Sequence, residues 1–130
     1  MSKEVKTERI FTGSVFEKNY GYCRLVKVGN FAFVAGTVGL GATAEEQTKA
    51  AFKTIEDALI KAGGSLKDVV RTRIFLTNIE KDFDSVGRMH GAVFGKFPPA
   101  MALIGIKALV DPKYTVEVEA DAIIGSGSKL

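Results

Sequence analysis

Near the C-terminus, Glu117, Glu119 and Asp121 alternate with Val116, Val118, Ala120 and Ala122. Successive side chains of a strand point to opposite faces, so the three carboxylates share one face and the apolar residues the other. Such an acidic face has two uses. Arg71 and Arg73 alternate in the same way on another strand-like segment, and pairing with them would make the acids structural. A carboxylate left in an apolar cleft would instead act as a general acid/base or hold an ordered water. His90 is the only histidine and titrates near neutrality. It also falls on an apolar helical stripe with Phe83, Val86, Val93 and Phe94, where a packed, hydrogen-bonded histidine is the competing role. Cys23 is the single cysteine and reads as a small packing residue, with no disulfide or thiolate metal cluster expected. Arg24 and Arg88 read as surface charges; facing a cleft, either guanidinium fork could hold an anion.

Other chemistries lack their residues. There is no P-loop, no Gly-x-Gly-x-x-Gly after a strand and no Gly-x-Ser-x-Gly elbow. Gly36-Thr37-Val38-Gly39-Leu40-Gly41 is rich in glycine but has no phosphate-binding lysine, and reads as a plain loop. One histidine with one cysteine makes a metal site unexpected, and no cofactor is implied. A net charge of +3 with scattered lysines gives little footprint for nucleic acid. No apolar run approaches the roughly 20 residues of a membrane helix, and Met1-Ser2-Lys3-Glu4-Val5-Lys6 has no signal-peptide core.

The elements that must position these residues follow from patterning. With 130 residues, 46% of them hydrophobic, one domain over residues 1–124 is expected. Tyr22 to Val28 and Phe31 to Ala35 read as a hairpin around Gly29-Asn30. Thr43-Ala44-Glu45-Glu46 is a capping box that opens a helix through Phe52, Ile55, Ala58, Leu59 and Ala62, ended by Gly63-Gly64. A strand follows over Val69–Leu76, with Val70, Thr72, Ile74 and Leu76 on one face. Asn78 or Asp82 caps a second helix reaching Phe94, which Pro98-Pro99 keeps from continuing. Strands from Met101 to Leu109 and from Thr115 to Ile124 complete a ββαβαββ order. Two helices cover only one sheet face, yet Met101 to Ile106 is apolar on both sides, so the second face is expected to be buried against other copies of the chain.

Residues 125–130 read as a tail. Gly125-Ser126-Gly127 is a flexible spacer before Ser128-Lys129-Leu130, a peroxisomal address read by an import receptor. An N-terminal fluorescent fusion is expected to give puncta; a uniform cytosolic signal would refute this.

Several segments together resemble the Rid family (reactive intermediate deaminase, YjgF-like, formerly called endoribonuclease L-PSP). They are Gly21-Tyr22-Cys23-Arg24-Leu25-Val26, Val28-Gly29-Asn30-Phe31, Val34-Ala35-Gly36-Thr37, Glu46-Gln47-Thr48, the run from Ala62 to Thr72, Phe75-Leu76-Thr77, Pro99-Ala100 and Val116-Glu117-Val118-Glu119-Ala120. The specificity lies in their order and spacing, from about Gly21 to Ile124. The resemblance implies a chorismate-mutase-like α+β fold, a homotrimer with sheets packed inward, and small-molecule clefts between subunits. It also implies hydrolysis of 2-imino or 2-enamino acids to 2-oxo acids and ammonia. In the family a tyrosine lines the cleft, matched by Tyr22, and a glutamate orders the attacking water, matched by Glu117.

Other positions depart from the family. Its carboxylate-binding arginine after Pro-Ala is Met101 here, its serine before Gly36 is Ala35, and its second-helix asparagine is Gly87. A thioether cannot replace a charged hydrogen bond of about 1.5–3 kcal/mol. Ala35, Gly36, Gly87, His90, Met101 and Leu103 are therefore the expected lining of a roomier, less polar cleft, suited to a neutral or aromatic ligand. Three functions follow: a divergent enzyme hydrolysing or tautomerising an imine, enamine or carbonyl compound; a non-catalytic metabolite-binding or chaperone-like trimer; and a ribonuclease, which the weak basic pattern disfavours.

Overall fold

A computed structural model describes residues 4–128. The elements are β1 (Thr7–Ile10), α1 (Val15–Tyr20), β2 (Leu25–Val28), β3 (Phe31–Thr37), α2 (Ala44–Lys61), β4 (Val69–Leu76), α3 (Ile79–Phe94), β5 (Ala100–Gly105) and β6 (Val116–Ile123). One six-stranded sheet has the order β1-β2-β3-β6-β4-β5. Every pairing is antiparallel except β4 with β5, the one pair joined by a crossover helix, α3. The expected α+β order is present, preceded by β1 and α1. Those two were illegible because four and six residues carry too little periodicity, and α1 depends on local caps. Ser14 accepts from the Phe16 amide at its start and Gly21, at φ 72°, closes it in the left-handed region.

The helix signals act as expected. Thr43 accepts from the Glu46 amide at 3.1 Å, while the Glu46 carboxylate reaches back one residue farther, to the Ala42 amide at 2.9 Å. Gly63 sits at φ 89°, and the Gly64 amide donates to the Leu59 carbonyl. Of the two candidate caps for α3, Asn78 is the one used. β5 ends at Gly105, short of the expected Leu109, and β2 starts at Leu25.

Leu25, Val34, Ile74, Leu76, Val116, Val118 and Ala120 face Phe52, Ile55 and Leu59 of α2 and Val86 and Phe94 of α3, forming the core. One expected face assignment fails. The β4–β6 register shifts between Val69 and Arg71, so Val69 enters the core and Val70 is 40% exposed. An extra residue in one strand reverses the inward set on one side of it. On the other sheet face, Phe31 and Phe33 are 54% and 51% exposed, beside half-buried Val26, Phe75, Ile104 and Ile123. Ser126–Ser128 forms a short 3-10 turn; Lys129 and Leu130, and with them most of the targeting tripeptide, lie outside the described residues.

Candidate functional site

β6 alternates as its sequence requires: Val116, Val118, Ala120 and Ala122 are buried, and Glu117, Glu119 and Asp121 face away from the helices. The three acids then part company. Arg73 donates to Glu119 at 3.2 Å and to Asp121 at 3.3 Å, so those two are held by cross-strand pairing. Glu117 is opposite Phe75 and has no hydrogen-bond or ion-pair partner among the described residues. Burial pushes its pKa up, the charge of Glu119 adds to this, and Arg24 pulls back.

A bulge in β3 makes room for it. Val34 pairs with Ala120 and Thr37 with Val118, leaving Ala35 and Gly36 together opposite Glu119. Two core-facing residues three apart, Val34 and Thr37, are possible only because of that extra residue. Gly36 then lies under Glu117: a Cβ there would stand 2.9 Å from the carboxyl carbon. The glycine leaves space for the acid.

Arg24 holds the bulge. Its Nη1 donates to the Gly36 carbonyl at 2.7 Å and to the Thr37 hydroxyl at 2.8 Å, and its guanidinium lies 5.7 Å from the Tyr22 ring centre. The residue is 8% exposed, so it is a buried charge and not the expected surface one. Arg88 is exposed and pairs with Asp84 at 2.9 Å. Alongside runs a groove of about 590 Å³, lined by Phe11, Glu17, Tyr22, Phe33 and Ala35, with Arg9 at its edge. Glu17 is buried; burial raises its pKa, but hydrogen bonds from the Thr12 hydroxyl and amide and the Gly13 amide outweigh this and hold it below the usual carboxylate range. Cys23 is buried with its Sγ against the Leu25 carbonyl, the packing role expected.

The remaining predicted residues lie elsewhere. Met101 pairs with Thr72 and Leu103 with Ile74, which turns both toward the helix side of the sheet. β5 is two strand spacings from β6, about 10 Å, and Met101 is three residues along from Ile104, which shares a rung with Phe75 and Glu117. Gly87 is on α3, and a Cβ there would meet nothing within 4 Å. So one chain carries two separate sets, Tyr22, Ala35, Gly36 and Glu117 on one wall and Gly87, Met101 and Leu103 at the β5 edge.

His90 belongs to neither, which corrects its assignment to the cleft. It is buried, with Nε2 2.8 Å from the Thr72 hydroxyl, edge-on to Phe52 and tilted against Phe94 at 4.7 Å. Thr72 is on the core face, the side of the sheet opposite Glu117. Burial holds the His90 pKa below its usual value. The unfolded chain therefore takes up the proton first as pH falls, and stability is lost below about pH 6.5. Urea titrations should show a falling midpoint between about pH 7 and pH 5.5; the slope should flatten in His90→Gln.

The family model for endoribonuclease L-PSP matches residues 13–124. The chain belongs to that family, the YjgF/RutC/Rid family. A crystal structure of Rv2704 from Mycobacterium tuberculosis, described as a member of the YjgF/YER057c/UK114 family, is 42% identical and superposes with a TM-score of 0.89 over 92% of this chain and 100% of that one. A RutC family protein of Pyrococcus abyssi is 34% identical over 95% of this chain and 97% of its own length. The 3-aminoacrylate deaminase RutC of Acinetobacter baylyi is 29% identical over 78% of this chain and 85% of its own. The fold is the family's mixed α+β fold, with a six-stranded sheet and three helices. Among the described residues, no three His, Cys, Asp or Glu side chains gather as a metal site. Sequence reasoning missed the burial of Arg24 and the role of Glu17, because both depend on the unforeseen β1–α1 segment.

Proposed function

We propose that this Rid-family chain binds a small metabolite in clefts completed by neighbouring copies of a homotrimer, and uses Glu117 to hydrolyse or tautomerise a reactive imine, enamine or carbonyl compound. The observation that carries this is Glu117 itself: half-buried, without a pairing partner among the described residues, and seated on the space that Gly36 leaves. A carboxylate with a raised pKa can take a proton from an attacking water and return it to the departing nitrogen. For an imine, water adds to the carbon, the carbon–nitrogen bond breaks, and ammonia and a carbonyl leave. Tyr22 and Phe33 offer apolar walls to the carbon skeleton. The 3-aminoacrylate deaminase among the relatives supports imine or enamine chemistry in general.

Met101 separates the chain from the family's 2-imino acid deaminases. A fresh preparation of iminopropionate is expected to release ammonia at little more than the buffer rate. Fast release dependent on Glu117 would overturn the divergent assignment. The alternative, a non-catalytic binding trimer, is favoured by Met101 and the largely apolar groove; loss of turnover in Glu117→Gln distinguishes the two.

A further inference from the structure

Arg24 carries a permanent charge, yet it is more than nine-tenths buried. Only its Nη1 donates within the chain, to the Gly36 carbonyl and the Thr37 hydroxyl. Among the described residues no carboxylate lies within ion-pair distance of it, and Nε and Nη2 donate to nothing. No side-chain nitrogen that is sealed from solvent lacks a partner, so these N–H groups reach the surface through a narrow opening. Glu17 and Glu117 both feel the guanidinium electrostatically, but neither touches it, and Glu17 is already occupied by Thr12. A desolvated charge without a counter-ion is costly, and the fold keeps this one beside the groove, with the Tyr22 ring under it.

We propose that Arg24 is the anion anchor of the cleft: its unused N–H groups receive the carboxylate of a small ligand from the wall that carries Glu117, in place of an arginine at position 101. The ligand class is a small carboxylic acid with an apolar or aromatic body, the carboxylate on Arg24 and the body against Phe11 and Phe33. This replaces the neutral ligand expected from Met101 alone and rests on the cleft reading given above. Two or more N–H groups in a fixed fork suit a carboxylate and do little for a neutral amide.

The test compares 2-oxobutanoate with its neutral isostere 2-oxobutanamide by calorimetry on the full-length oligomer. Wild type is expected to prefer the carboxylate by about tenfold or more. Arg24→Gln should erase that preference and leave amide affinity unchanged, Arg24→Lys should keep part of it, and Glu117→Gln should keep all of it. Equal binding of the two probes by wild type would overturn the anchor while leaving the cleft standing; binding of neither would overturn both. Arg24→Gln also removes the bonds that hold the bulge, so a second measurement avoids that variant. A crystal of wild type soaked in 2-oxobutanoate should place its carboxylate on Nε or Nη2, and a carboxylate from a neighbouring subunit found there instead would refute the proposal.

Discussion

Glu117→Gln is expected to lower turnover by about 10²–10⁴-fold while changing ligand affinity by no more than about threefold. The amide keeps the shape of the carboxyl group and cannot exchange a proton. Nothing in the fold depends on the charge, because Glu117 bonds to no other group among the described residues and its ionised form is disfavoured by burial. The variant should therefore melt at or slightly above the wild-type temperature. Steady-state kinetics beside calorimetry gives the answer. A loss of affinity equal to the loss of turnover would mean that Glu117 only binds. Glu119→Gln is the control: that acid is tied to Arg73 and should affect stability modestly and turnover little.

Phe33→Asp is expected to dissociate the oligomer. Phe33 is half exposed on the sheet face away from the helices, in a band with Phe31, Val26 and Ile123. Burying one such ring against a neighbour contributes about 1.5–3 kcal/mol, and an aspartate there would have to be desolvated without a partner. Each interface of a closed ring contains the substitution, so its effect multiplies. Light scattering at micromolar concentration should read a trimer for wild type and a monomer for the variant. Because Phe33 also lines the groove, ligand binding should be lost at the same step. A monomeric wild type, or a trimeric variant, would refute the assembly.

Much of the fold was legible because its signals are local. The capping residue Thr43, the Gly63-Gly64 stop and the period-two pattern of β6 each act within a few residues. Val70 shows the limit. Its alternation with Thr72 and Ile74 is clear in the chain, but a register shift against β6 is a property of two strands and turns it outward. The β3 bulge is a similar case, with the difference that Gly36 marked the position in advance.

For the site, residue types alone proposed three equivalent acids on one face and two uses for them. Cross-strand geometry assigned Glu119 and Asp121 to Arg73 and left Glu117 over. Pattern also put His90 on an apolar stripe, and packing chose the core over the cleft because Thr72 and two phenylalanines surround it. The chain's letters were sufficient for the family, the element order and the loss of an arginine at position 101. They were not sufficient for Arg24, since a residue's burial is set by everything that folds over it. Here β1, α1 and the β3 bulge, distant or weakly patterned in sequence, enclose one guanidinium and bring it near Glu117.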